Sequence, residues 1–360
     1  MNVLMLSTDA KIFAPGSARE RITSYGTIVD SLTLVIFSMG SPERINLAQN
    51  VIAIRIGGGN KFIVFARGIL ILLKETKLRA YDVVSSQDPF AIGLAALMVS
   101  YLRSIPLQIQ VHTDCFSRAY RSESIRRFLE AFIARWVVSR ASCVRVVSKR
   151  IARSVASMTL APLSILPILV QPARAVLSVP APHSGKYITF LVVSRLTKEK
   201  QLGIAIEAIA RVPLAGLIVV GDGSERNRLE KKVAELALSD RVQFVGWKDD
   251  RASSYQHADC FIQTSRYEGY GMALVEAALY ALPLISTDVG VVGETFIEGQ
   301  EVLIADANTE SFAAAIRKMV DDEAFRKAMG RRAREKALAL VMPPHEYLRK
   351  YQEALKTCVF

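Results

Sequence analysis

The chain has 360 residues, room for two domains with their own cores, and at 51% hydrophobic and 8% aromatic it is too apolar to be disordered. Its formal net charge is +12, and the whole excess lies in residues 1–180, where 22 Lys and Arg face 10 Asp and Glu, against 24 and 24 in the rest. No nucleic-acid-binding motif accompanies that charge, so nucleic acid is set aside as a partner. With a mean hydropathy of +0.25, an anionic membrane surface is the partner class that remains.

The first residues, MNVLMLSTDA, begin directly with a strand and show no basic segment followed by a long apolar core, so no secretory signal is expected and a cytoplasmic setting is. Cys115, Cys143, Cys260 and Cys358 are scattered, and His112, His183, His257 and His345 have no metal-ligand spacing. This predicts reduced thiols and neither zinc nor any other bound metal.

Short apolar or β-branched runs at 2–6, 32–37, 51–56, 82–86, 107–112 and 143–148 predict strands, with helical periodicity between several of them. Two long apolar runs, 62–73 and 90–102, fall short of the ~20 residues a membrane-spanning helix needs and read as buried helices. After the first strand, Pro15, Gly16 and Ser17 can bring backbone amides to a phosphate, or form an ordinary turn with a Ser N-cap. The absence of G-x-G-x-x-G argues against a nicotinamide dinucleotide site. The turn Gln87-Asp88-Pro89 predicts a helix start with Asp88 as N-cap and Pro89 at the first position.

His112 ends the strand LQIQVH, and by itself a lone histidine there reads as a satisfied core or surface residue. From 122 to 141 apolar residues recur at helix spacing (Ile125, Phe128, Leu129, Phe132, Ile133, Trp136) among Arg126, Arg127, Arg135 and Arg140. Arg145, Lys149, Arg150 and Arg153 follow. Two readings stand: an amphipathic helix with its apolar face in the core, or attachment to an anionic membrane.

Residues 171–186, QPARAVLSVPAPHSGK, are rich in Pro, Ala and Ser without a sustained period and predict a linker, so that domains are expected over 1–172 and 187–343, joined by 173–186. Strand-like runs then resume at 187–194, 214–220, 241–247, 259–264, 283–287 and 302–305. Two doubly wound parallel sheets follow, Rossmann-like, with ligands expected at the carboxyl ends of the strands in a cleft between the domains.

In the second half, Arg195 and Lys200 lie five apart at a strand end and helix start, where both can reach a diphosphate. Gly221-Asp222-Gly223 reads as a tight structural turn, and Gly246 ends the next strand. The stretch 265–294, SRYEGYGMALVEAALYALPLISTDVGVVGE, carries the densest signal. A helix starting near Gly271 aims the amides of Gly271, Met272 and Ala273 and the positive end of its dipole at an anion, and Gly269 and Gly271 allow close approach. Glu268 precedes those amides and Glu276 lies about 7 Å along the helix axis beyond them at 1.5 Å per residue.

These residues, from about Val192 onward, resemble the donor-site signature of the retaining glycosyltransferases of family 4, which have the two-domain GT-B fold. The resemblance implies an α/β GT-B architecture in which residues 344–360 form a helix crossing back to the first domain. It implies a nucleoside diphosphate sugar as co-substrate, Glu268 on the donor sugar, Glu276 on the ribose, and Arg195 and Lys200 on the diphosphate. Tyr270, Met272 and Ala273 would lie along the phosphates, Gly246 near the base, Gly16 at the first-domain phosphate loop and His112 at the sugar. Ser194, Leu282 and the single Gly16 stand where the family more often has glycine. No Asp-x-Asp occurs, so cationic side chains replace a metal in this reading. The acceptor stays open, a lipid-linked or growing polysaccharide being favoured by the basic first domain. A glycoside hydrolase would leave the phosphate ligands without a role. A nucleotide-sugar epimerase of the same fold and a non-catalytic membrane-associated subunit are the alternatives.

Overall fold

A computed structural model describes residues 1–170, 186–248 and 251–359, so the expected linker lies outside the described residues except for Lys186. The chain divides into two compact units, Met1–Pro167 with Pro343–Phe360, and Ile168–Met342.

The first unit contains β1 (Asn2–Ser7), α1 (Ser17–Tyr25), β2 (Ser31–Ile36), β3 (Glu43–Ala48), β4 (Val51–Arg55), α2 (Lys61–Leu78), β5 (Val83–Ser86), α3 (Ala91–Arg103), β6 (Leu107–Val111), α4 (Arg118–Arg121), α5 (Ile125–Val138), β7 (Cys143–Val146), α6 (Lys149–Ala156) and β8 (Leu163–Ile165). The strands pair in the order β3-β4-β2-β1-β5-β6-β7-β8, parallel except for the antiparallel edge pair β3 and β4. All six strands expected here form, because each is a short apolar or β-branched run largely buried on both faces of a parallel sheet. The two unforeseen strands, β3 and β8, are edges: ERINLA is largely exposed and has no continuous apolar run to announce it.

The second unit holds β9 (Ile188–Val193), α7 (Leu202–Ala210), β10 (Ala215–Val220), α8 (Arg226–Glu235), β11 (Val242–Gly246), α9 (Ala252–Gln256), β12 (Cys260–Gln263), α10 (Met272–Leu279), β13 (Leu284–Ser286), β14 (Val302–Ile304), α11 (Thr309–Asp321) and α12 (Glu323–Leu338). Its sheet runs β11-β10-β9-β12-β13-β14, parallel throughout. Phe190, Val192, Ile206, Ile209, Phe312 and Ile316 are among the side chains that close its core between sheet and helices.

The last helix, α13 (Pro344–Lys356), belongs to the first unit. Gln108 donates to Ala354 O at 2.6 Å, Gln110 to Tyr351 Oη at 2.9 Å and Gln352 to Ile28 O at 2.6 Å, while Tyr351 stacks on Tyr25 with ring centroids 4.4 Å apart. Cys143 on β7 and Cys358 just past α13 form a disulfide, which corrects the expectation of four separate thiols. A separation of 215 residues hides a pair whose Cα atoms lie 4.9 Å apart.

Three further expectations are corrected. Asp88 is not an N-cap: α3 starts at Ala91 after Phe90, and the Asp88 carboxylate accepts from the Phe90 amide at 2.9 Å two residues ahead of it. Arg145, grouped by sequence with a basic surface series, is buried, its guanidinium donating to Gln110 Oε1 at 2.7 Å and Tyr347 Oη at 2.8 Å and lying over the Tyr351 ring at 5.0 Å. The apolar runs 62–73 and 90–102 do form helices, but each is buried on one face only: α3 buries Ile92, Ala95, Ala96 and Val99 and α2 buries Val64 and Leu72, while Tyr101 on α3 is 86% exposed and Phe62 on α2 is 88% exposed. Among the described residues no helix is long and apolar enough to cross a membrane.

Candidate functional site

In the second unit the candidate residues gather at the carboxyl ends of β9 and β12, neighbours in the sheet. The chain leaves β9 at Ser194, and its next turn is fixed from beneath by Gly221 and Gly223. Leu196 N donates to Asp222 O at 2.9 Å, and a Cβ on Gly221 would sit 1.8 Å from Ser194 O, one on Gly223 2.3 Å from Leu196 O. The Gly-Asp-Gly turn therefore does the structural work the sequence suggested, by letting two backbones touch beside Arg195.

Arg195 is largely exposed and donates to Glu199 Oε1 at 3.4 Å, a carboxylate that also accepts from Thr197 Oγ1 at 2.7 Å. Burial alone would raise the Glu199 pKa, but the Thr197 hydroxyl, the backbone and the nearby Arg195 and Lys200 charges bring it below the ordinary value. Glu199 thus stays anionic and holds Arg195 at the mouth of the turn.

Lys200 and Glu268 come together as the centre of the site. Lys200 Nζ donates to Glu268 Oε1 at 2.5 Å, and Ser265 Oγ donates to the same oxygen at 2.8 Å. Both side chains are mostly shielded from solvent. The backbone beneath is tied in turn, Thr264 Oγ1 to Lys200 O and Thr287 Oγ1 to Ser265 O, each at 2.6 Å.

Glu268, Gly269 and Tyr270 lead to Gly271, the N-cap of α10, at φ +96°, a conformation that favours glycine. No side chain caps this end, so the helix start at Met272 and Ala273 presents its amides without an internal side-chain acceptor. Gly290 packs on the same turn: its φ is +60°, a Cβ there would meet Tyr270 O at 2.4 Å, and the next residue, Val291, donates its amide to that oxygen at 3.0 Å.

One turn into α10, Glu276 accepts from Tyr255 Oη at 2.7 Å and from Arg251 Nη2 at 3.1 Å. Burial first, and then the Glu276 charge, hold the Tyr255 phenol well above its ordinary pKa, so it remains a donor. A carboxylate offers about four acceptor positions, so two bonds leave Glu276 capacity for a ligand hydroxyl. Arg251 and Tyr255 were not anticipated, since α9 carries no motif and only the fold brings it beside α10. Gly246 ends β11 at φ +75° and accepts from the Gly221 amide at 2.8 Å, apart from the Lys200–Glu268 pair.

Two candidates belong to the first unit. Gly16, at φ +144° with open space around its Cα, is the N-cap of α1, replacing the alternative Ser17 cap. His112 follows β6, its Nε2 lying 3.1 Å from Gln110 Oε1. Gln110 Nε2 already donates to Ser85 and Tyr351, and its Oε1 accepts from Arg145, so that oxygen can only be an acceptor. The proton therefore sits on His112 Nε2 and Nδ1 is left as an acceptor. Burial, then the Arg145 and Arg21 charges, lower the His112 pKa to about 3, so the ring is neutral at physiological pH.

Among the described residues no three His, Cys, Asp or Glu side chains converge as a metal site would require. What the second unit offers is cations and helix-start amides, with Glu268 before that start in the chain and Glu276 after it, an arrangement suited to a diphosphate with a polyhydroxyl group on each side.

Residues 177–336 match a family described as glycosyl transferases group 1, and residues 39–168 match the glycosyl transferase 4-like domain. The lipopolysaccharide core biosynthesis glycosyltransferase LpsE of Rhizobium meliloti is 33% identical over 144 residues, 40% of this chain and 42% of that protein, so the match spans less than half of that relative. Glycogen synthase of Mycobacterium tuberculosis is 25% identical over 316 residues, 84% of this chain and 75% of the enzyme. Sucrose-phosphate synthase from Thermosynechococcus elongatus superposes with a TM-score of 0.78 at 20% identity, over 98% of each chain. Anabaena Alr3699/HepE in complex with UDP-glucose does so with a TM-score of 0.75 at 19% identity, over 99% of this chain and 100% of that one.

Proposed function

Because the chain is a glycosyltransferase of the GT-B fold, we propose that it moves a hexosyl group from a nucleoside diphosphate sugar to an acceptor hydroxyl, with retention and without a metal ion. The observation that carries this reading is the Lys200–Glu268 pair beside the uncapped start of α10. Lys200 keeps two further N–H donors for phosphate oxygens, and Glu268 keeps one whole carboxylate oxygen for sugar hydroxyls. Arg195 and the amides of Met272 and Ala273 hold the diphosphate, with Gly269, Tyr270 and Gly271 shaping the approach, and Glu276 takes the ribose.

In this reaction the bond from the anomeric carbon to the diphosphate oxygen breaks with its electron pair going to the phosphate. Lys200, Arg195 and the helix start stabilise that developing charge. The acceptor oxygen bonds to the same face of the carbon, and its proton passes to the departing phosphate oxygen, so no side-chain base is required. A His112 ring with a pKa of about 3 fits this role assignment, for it can accept a hydrogen bond through Nδ1 but is too weak a base to deprotonate an alcohol.

The HepE complexes with UDP and with UDP-glucose support a uridine nucleotide as donor. The name of LpsE supports an acceptor that is a growing, lipid-linked saccharide in cell-surface polysaccharide or glycolipid synthesis. Isothermal titration with UDP and GDP and their sugar conjugates, in EDTA, tests the donor site. Saturable binding of one nucleotide, weakened by Glu276→Ala, is expected. An absence of binding to any of them defeats the reading, and conversion of the donor sugar without an acceptor would make the protein an epimerase instead.

A further inference from the structure

The first unit turns its largest apolar side chains toward solvent. On α5, Ile125, Phe128, Leu129, Phe132 and Trp136 are exposed, Ile125 by 82%, while Ala131, Ala134, Val137 and Val138 face inward. Small side chains allow the helix to pack closely, Val137 lying against Gly93 of α3. The amphipathic pattern is real, but its bulky stripe points away from the core. The neighbouring helices do the same: α3 packs between α2 and α5 and exposes Tyr101 and Leu102, and α2 exposes Phe62 and Leu70 opposite its buried Val64, Gly68 and Leu72.

Cations surround these side chains. Lys61, Arg67, Lys74 and Lys77 of α2 and Arg135 of α5 are exposed and make no ion pair among the described residues. The acid of α2, Glu75, is buried and bonded to Arg44, so it does not offset them at the surface. A second copy of this face would set like charges opposite one another across a two-fold axis. A layer of exposed aromatic and aliphatic side chains accompanied by unpaired Lys and Arg complements instead a surface that is apolar within and anionic at its boundary.

We propose that the outer face of α2, α3 and α5 docks on a bilayer containing anionic phospholipid, with Phe62, Tyr101, Phe128, Phe132 and Trp136 entering the acyl boundary and the surrounding Lys and Arg at the phosphates. None of these side chains is among the donor residues proposed in the second unit, so the vesicle test does not depend on the transferase reading.

The protein is sedimented with vesicles of phosphatidylcholine alone and of phosphatidylcholine mixed with phosphatidylglycerol. Binding to the mixed vesicles, at least about tenfold stronger than to the neutral ones and weakened by salt, is expected. Phe128→Ser with Phe132→Ser lowers that partition by about tenfold or more while leaving UDP binding and the melting temperature in place, since both side chains are exposed. Lys61→Glu with Lys74→Glu removes the preference for phosphatidylglycerol. Trp136 emission shifts to the blue on binding, and Trp136→Phe abolishes that shift. Equal sedimentation with both vesicle types, no sedimentation, or a dimer in the ultracentrifuge that the phenylalanine pair dissolves each overturns the proposal.

Discussion

The two units share an architecture of parallel sheet and covering helices, yet they treat an apolar helix in opposite ways. In the second unit, α7 buries Leu202, Ile206 and Ile209, and α11 buries Phe312 and Ile316, so bulky residues meet the sheet. In the first, α5 packs through Ala131 and Ala134 and leaves Phe128 and Phe132 in solvent. Helical periodicity shows that a helix has a stripe and does not say which way the stripe faces. The side turned to the sheet is chosen by how closely the helix can approach, and in α5 the small side chains permit the closer fit.

That contrast can be broken by mutation, and the largest effect is expected in the second unit. Ile206→Ala should destabilise it by about 2–5 kcal/mol in denaturant unfolding, because a fully buried branched side chain leaves a cavity. In the first unit, where α13 is held by a disulfide, reduction or Cys358→Ser should cost about 2–4 kcal/mol in the same assay. Lys200→Ala or Glu268→Ala should lower kcat by roughly 10²-fold or more in a radiolabelled-sugar transfer assay, if the pair acts in the transition state as proposed.

A pH prediction sharpens the role of the first unit's buried network. The folded pKa of His112, about 3, lies below its ordinary 6.5, so between those values the unfolded chain binds a proton that the folded chain does not. The stability it contributes is complete above pH 6.5 and is lost as pH falls toward 3, at up to about 1.4 kcal/mol per pH unit. His112→Asn should flatten that part of the stability profile. The smallest effect is the counterpart of Ile206: Phe132→Ala should change stability by no more than about 0.5 kcal/mol, because the ring packs on little.

The twelve strands anticipated from apolar runs all form, since a buried parallel strand needs a short β-branched segment and that is visible locally. The turn from Glu268 to Gly271 and the start of α10 were legible for a similar reason: glycines at positive φ and an uncapped helix end are local features of the chain. The pairing of Lys200 with Glu268, the anchoring of Glu276 by Arg251 and Tyr255, and the closing of Cys143 on Cys358 were not, for each joins segments that share no local pattern. Arg145 marks the same limit, a cation that composition sends to the surface and that β7, α13 and the Gln110 amide enclose. By itself the sequence determined the α/β repeat and the glycine turns, which follow from short-range spacing. Only the tertiary structure decided which charges meet, which thiols join and which helix faces see water, because those depend on packing between elements far apart along the chain.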